Sequence, residues 1–308
     1  MEPSTASRTA LATSLMRAIH ARIDPKPIFI DPWGDRLVPD EARERIRQRA
    51  LAAGVSGGKA GATVDRYLRA SAAYATVITR SRYAEDALHA ALVTGVRQYV
   101  LIGAGFDSYA LRTSVQAHSL AIYEVDHPAT QSLKKAQIFE CGIALRDAVH
   151  FLPADLSIES LDEVLLRSQF SRGEPSFVSW LGVTMYLTRE ENLSSLRAIA
   201  RCTGEGSEIV FTYLDQSFFS EVSQSTVGSL SDLQKTVTSL GEPFLSGFDH
   251  NTLSNVLESV GFELVEDLSD ADLVAYYDPA NENGFRPASQ SRIARARVLR
   301  RDLHMSAA

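Results

Sequence analysis

Cysteine is scarce: Cys141 and Cys202 are the only two, far apart, with no C-x-x-C pair and no histidine at ligand spacing. A disulfide scaffold and a zinc site are thereby excluded, and reduced core thiols in a cytoplasmic protein are expected. Long apolar runs are also missing. None approaches the roughly 20 residues of a membrane span, and Met1-Glu2-Pro3 does not open a basic-then-apolar secretory signal, so no membrane association is expected. Nor is there an excess of positive charge. Lys and Arg number 31 against 38 Asp and Glu, a net charge of −7, and an acidic body does not attract a phosphate backbone. Nucleic acid is therefore not expected as a partner. The one basic run, Arg43 to Arg49, alternates with Glu44, Ile46 and Gln48 and suits a solvated helix face.

What is present is an ordinary globular composition, 45% hydrophobic over 308 residues, ample for a full core. Residues 8–23 carry Leu11, Leu15, Ala18 and Ile19 on one helical stripe, which Pro25-Lys26-Pro27 ends. The glycine-rich stretch 54–61 is a joint. Striped helices are predicted at 64–78 and at 82–94, the latter stopped by Gly95. From there short apolar strands alternate with helices: 99–102, 120–125, 149–152, 177–180, 208–213, 263–266 and 273–277. Such alternation implies βαβ units and a largely parallel sheet. The last two strands stand too close for a crossover helix and are expected to form an antiparallel hairpin. Residues 215–250, with Phe218, Phe219, Leu230, Leu233 and Val237, interrupt the alternation. Together with residues 1–80 they are expected to form a helical cap on a domain spanning 81–308. No internal repeat is visible.

The chemistry-bearing set begins at Val100-Leu101-Ile102-Gly103-Ala104-Gly105-Phe106-Asp107, a strand entering a glycine turn and then a helix. Gly103 permits the turn and Gly105 lets a ligand approach the backbone. About 20 residues on, Glu124 or Asp126 ends the next strand, where a carboxylate grips ribose hydroxyls. Asp155 ends the third strand and can accept from an adenine amino group. Each feature alone equally suits a packing turn or a helix cap, but their order, each at the carboxyl end of its own strand, marks the ligand edge of an open α/β sheet. A dinucleotide brings a pyrophosphate to this turn. Here Asp107 occupies it with no Arg or Lys, and Ser108 replaces the third glycine. This favours a cationic, phosphate-free donor, S-adenosyl-L-methionine, over a nicotinamide cofactor. The alternatives are a nicotinamide-dependent oxidoreductase and a non-catalytic S-adenosylmethionine-binding module. The donor's carboxylate needs a basic partner, for which Arg82 is the candidate.

At these residues the chain resembles the leucine carboxyl methyltransferase family. The likeness runs through Thr79-Arg80-Ser81-Arg82, the stretch from Gln98 to Ser108, Tyr123-Glu124-Val125-Asp126-His127-Pro128, Ala154-Asp155-Leu156, Gly182-Val183-Thr184-Met185-Tyr186-Leu187 and Gly241-Glu242-Pro243-Phe244. It is nearest the bacterial small-molecule branch, that of the tetracenomycin carboxyl methyltransferase and of mycobacterial S-adenosylmethionine-dependent methyltransferases. The resemblance implies a Rossmann-like class I methyltransferase sheet, mostly parallel with one antiparallel hairpin strand, plus a helical cap. It further implies that Arg82 holds the methionine carboxylate, that Gly103 and Gly105 line the cofactor, that Asp126 binds the ribose and that Asp155 with Leu156 frames the adenine. Many members carry a glutamate two residues before Val183, where this chain has Leu181; Asp107 is the candidate to replace it. Methyl transfer to a small carboxylic acid, such as a polyketide intermediate, in secondary metabolism is the expected activity. Such an acceptor is ionised at neutral pH, so no catalytic base is required. Tyr186, His20 and His250 are the candidates for facing the acceptor; His127 reads as a turn residue and His118 as part of a polar loop.

Overall fold

The computed structural model describes residues 6–55, 60–113, 120–219, 234–235 and 237–299. Five strands, β1 (Gln98–Ile102), β2 (Ala121–Asp126), β3 (Val149–Pro153), β4 (Ser176–Trp180) and β5 (Glu208–Leu214), pair in parallel, and β6 (Phe262–Ser269) and β7 (Ser291–Val298) complete a seven-stranded sheet of order β3-β2-β1-β4-β5-β7-β6. β7 runs antiparallel to both β5 and β6. The central strands β1, β4 and β5 are buried along their whole length. They are covered on both faces, which is why they read as continuous apolar runs rather than alternating ones.

One face carries α7 (Leu161–Leu166), α8 (Arg189–Cys202) and α9 (Leu253–Ser259), packed on Val100, Val178, Trp180 and Phe211. Toward the other lie α4 (Ala73–Val93), α5 (Tyr109–Arg112) and α10 (Asp270–Tyr277), meeting Tyr99, Leu101, Phe177 and Val210. A separate core joins α1 (Arg8–Ile23), α2 (Asp40–Ala52), α3 (Ala60–Arg69) and α4 to α6 (Pro128–Glu140) through Leu15, Ile19, Ile46, Leu68, Ile78 and Ile138. No described helix is long and apolar enough to cross a membrane.

Three expectations are corrected. Residues 273–277 form the helix α10, not a strand: Ser269 and Asp272 make a reciprocal capping box that turns the chain from β6 directly into a helix. The antiparallel partner is β7, Ser-Arg-Ile-Ala-Arg-Ala-Arg-Val, in which Ile293, Ala294 and Ala296 are buried. Its arginines are kept there by pairing, Arg295 and Arg297 both with Glu208 at 2.6 and 2.8 Å. Small buried residues between paired arginines give a weak hydrophobic signal. Finally, the helices expected at 64–78 and 82–94 divide instead at residues 70–72, where Tyr74 N donates to Ser71 O, and α4 runs unbroken for 21 residues. Nothing between 78 and 82 breaks a helix, so the cap boundary drawn at residue 80 falls inside α4. Of the 215–250 segment, residues 220–233 and 236 lie outside the described residues, as do His118, Leu230 and Leu233. Its two ends meet at a bridge between Asp215 and Phe248.

Candidate active site

The carboxyl ends of β1 to β4 open into one cavity of about 550 Å³. Gly103, Gly105, Asp107, Asp126, Asp155 and Leu156 all line it, although they come from three different strand ends. The glycine turn needs both of its glycines. Gly103 has φ +64°, and a Cβ there would overlap Val183 Cγ2; Gly105 has φ +51°, and a Cβ there would lie 3.0 Å from Ala10 Cβ. The turn is tied to β2, since Gly103 N donates to Val125 O at 2.8 Å and Gly105 N to the Asp126 carboxylate. His127 N also donates to Asp126, at 2.6 Å. Burial raises the Asp126 pKa, and these two amides work against that rise. Asp155 accepts from Ser157 N at 3.0 Å and Ser157 Oγ at 2.7 Å. Its desolvation is outweighed by these donors, and its carboxyl is held below the ordinary range. Asp107 accepts from Tyr109 N at 2.7 Å through Oδ1.

Four expected site residues lie elsewhere. Arg82 is exposed, bound to Asp86 at 3.0 Å and to Ile28 O at 3.2 Å. Two helical positions earlier, Arg80 enters the cavity instead. Residues two apart on a helix point to nearly opposite sides, so only one of them can face the sheet edge. Glu124 sits one pleat repeat below Asp126, at 1% exposure, and pairs with buried Lys134 at 2.5 Å rather than reaching the cavity. His20 is enclosed: Nδ1 meets Asp24 at 2.5 Å and Nε2 accepts from Ile28 N at 2.9 Å. His250 binds Asp215 at 2.6 Å and is not part of the lining. Asp215, Asp249 and His250 offer three metal-ligand atoms within 4.8 Å of one another, but Asp215 already accepts from Ser217 N and from His250. Tyr186 does line the cavity, its ring 5.5 Å from Phe244 and its phenol pushed well above the usual range by burial.

Arg80 is the basic residue of the cavity lining that sequence reasoning missed. Its guanidinium lies against Gly182, where a Cβ would come within 2.7 Å of both terminal nitrogens; the φ of +71° also suits glycine. It makes no ion pair and no hydrogen bond among the described residues. Desolvation brings its pKa down to about 10, and only the more distant charges of Tyr186 and Asp270 oppose this. A helical count from Thr76 through Arg80, Ala84 and Ala87 to Ala91 places Arg80 on the apolar stripe; that phase was the available signal. Arg17 is also in the lining, held by Asp31 at 2.9 Å and by Phe106 O at 2.7 Å.

The leucine carboxyl methyltransferase family model matches residues 10–200. This chain belongs to that family. A Bacillus subtilis protein, YktD, assigned as an S-adenosyl-L-methionine-dependent methyltransferase, is 31% identical over 281 residues, 89% of this chain and 91% of its own. A similarly assigned Mycolicibacterium smegmatis protein is 24% identical over 258 residues, 83% of each chain. Among solved structures, a DUF574 family protein from Streptomyces avermitilis superposes with a TM-score of 0.53 at 16% identity, covering 96% of this chain and 98% of its own. One from Thermobifida fusca, assigned as a methyltransferase, gives 0.50 at 17% identity, covering 83% of this chain and 94% of its own. These two bear on the fold alone. The protein is an S-adenosyl-L-methionine-dependent methyltransferase with a class I sheet. The cavity fits that cofactor: it holds a half-buried cation, Arg80, with no ion pair among the described residues, a glycine turn with no room for a side chain, and strand-end carboxylates where a phosphate would be repelled.

Proposed function

We propose that this methyltransferase esterifies the carboxylate of a small, largely apolar acid, with Arg80 binding the carboxylate of the cofactor's methionine moiety. Asp126 takes the ribose hydroxyls, Asp155 and Leu156 frame the adenine, and the Gly103 and Gly105 backbone lies along the cofactor. Asp107 keeps Oδ2 available for the ammonium group, the role left open by Leu181, which lines the cavity as an apolar residue. S-adenosylmethionine supplies a methyl group activated on a sulfonium. The protein's part is to hold the acceptor in line and keep water out, and alignment alone is worth roughly 7–11 kcal/mol.

The observation that carries the carboxylate reading is the state of the groups at the acceptor end. Tyr186 is a half-buried phenol that is hard to ionise, and Glu242 accepts from Arg8 N and Thr9 N. A carboxylate, with a reference pKa near 4, needs no base to react beside such groups. Cys141 and Cys202 as free thiols suit work in the cytoplasm.

Incubation with methyl-labelled cofactor and a panel of apolar carboxylic acids, phenols and amines tests this. Base-labile label on an acid is expected. Label on a phenol or amine instead would refute the acceptor class, and cofactor binding with no turnover on any compound would favour a binding module.

A further inference from the structure

The cavity floor is the sheet edge, but two of its walls come from segments outside the sheet: the start of α1, and the loop at residues 241–245. They meet at Glu242. A helix begins with amide groups that have no partner within the helix. In α1, Ala10 N donates to Ser7 Oγ at 3.1 Å and Leu11 N to Ser7 O at 3.4 Å. Three amides leave their own segment, and of these Ser7 N donates to Thr130 Oγ1 at 3.0 Å. Arg8 N donates to Glu242 Oε1 at 3.2 Å and Thr9 N to Glu242 Oε2 at 3.4 Å, and Thr9 Oγ1 also donates to Glu242 Oε2. The capping carboxylate is thus supplied from more than 230 residues away, at 8% exposure and without a salt bridge among the described residues.

Everything Glu242 meets here is a donor, and the positive end of α1 favours a negative charge, so an acceptor-only carboxylate suits the position. Both sides of the contact reach the acceptor end. On the α1 side, Thr9, Ala10 and Thr13 line the cavity, and Ala10 rests on the Gly105 turn. On the loop side, Phe244 packs on Tyr186, and Leu245 N donates to Met185 O at 2.7 Å.

We propose that Glu242 is a positioning residue that closes the active site by capping α1 from across the cavity, setting Thr9 and Tyr186 against the acceptor and governing product release. The proposal rests on the methyl-transfer reading of the cavity for its kinetic consequence, but not for the contact itself.

Hydrogen exchange of the full-length, cofactor-free protein reads that contact directly. Glu242→Ala is expected to speed exchange at the Arg8 and Thr9 amides tenfold or more while β1 and β4 amides keep their wild-type rates. Glu242→Gln keeps one acceptor oxygen and should fall between. Thr9→Val removes a single hydroxyl and should loosen the same amides by a smaller factor. In stopped-flow, S-adenosylhomocysteine should leave Glu242→Ala several-fold faster, with the acceptor KM raised more than kcat is lowered. Wild-type exchange at Arg8 and Thr9 in Glu242→Ala would overturn the proposal. So would acceleration of sheet and α1 amides together in both Glu242→Ala and Thr9→Val, which would mark a general loss of stability. If the wild-type protein fails to bind S-adenosylhomocysteine at all, the methyl-transfer reading falls, while the exchange experiment still decides whether Glu242 is the clasp.

Discussion

Arg80→Met separates a binding cation from a structural one, because the two roles predict opposite signs for stability. The side chain is half-buried, has no counterion among the described residues, and has its pKa brought from 12.5 down to about 10 by desolvation. A folded-state value below the unfolded one means that folding disfavours the charged form. That cost is fully present at every pH below about 10 and is relieved only above it. At 1.36 kcal/mol per pKa unit it amounts to about 3 kcal/mol at most, and the open side of the cavity screens it toward roughly 1 kcal/mol. Methionine is of similar length and carries no charge. The cofactor-free variant should therefore melt a few degrees above wild type. Binding should move the other way: a hydrogen bond to a charged partner contributes about 1.5–3 kcal/mol, so Kd for S-adenosylmethionine should rise roughly ten- to hundredfold. Calorimetric titration and thermal unfolding measure the pair of effects, and titration with decarboxylated S-adenosylmethionine supplies the control. The variant and wild type should bind that analogue alike. An unchanged Kd for the full cofactor, or an equal loss for the analogue, would refute the assignment of Arg80. Arg82→Ala, at the exposed position, should leave Kd within about threefold.

Gly103→Ala should lower both Tm and cofactor affinity. The residue sits at φ +64° and the new methyl meets Val183, and strained backbone of this kind costs about 1–3 kcal/mol; Gly103→Ala with Val183→Ala should recover only the steric part. Lys134→Met leaves Glu124 buried without its partner and should cost about 3–5 kcal/mol in urea unfolding, with much of the loss restored by adding Glu124→Gln. Desolvation would raise the Asp215 pKa, but donors from Ser217 and His250 outweigh it and hold the value at about 2. The carboxylate therefore contributes stability that is present above pH ~4 and lost as pH falls through about 2, up to about 2 kcal/mol. Asp215→Asn should flatten that part of the stability curve, and a curve as steep as wild type would show that other carboxylates dominate it.

Much of the molecule can be read from neighbouring residues. The strands β1 to β5, the turn Gly103-Ala104-Gly105 and the acids closing β2 and β3 are local: apolar runs, a glycine pair and a strand-end carboxylate each lie within a few residues. The capping box that made α10 was equally local, in Ser269 and Asp272, yet the apolar content of residues 273–277 concealed it. β7 was hidden for another reason. Alternating alanine and arginine looks like solvated chain until Glu208, more than 80 positions away, is seen to pair with Arg295 and Arg297.

Local sequence, then, was enough for the fold class and for the sheet edge on which the cavity opens, because those features are carried by contiguous residues obeying strand, turn and cap preferences, and the family showed itself through the likeness of its short motifs. Three matters awaited packing. The rotation of α4 about its axis put Arg80 rather than Arg82 in the cavity, the depth of each residue on β2 put Asp126 there rather than Glu124, and the return of the chain near residue 242 added a second cap to α1 beside Ser7. Each depends on which surfaces lie together after the chain has closed on itself, and such long-range contacts leave no periodic trace along it.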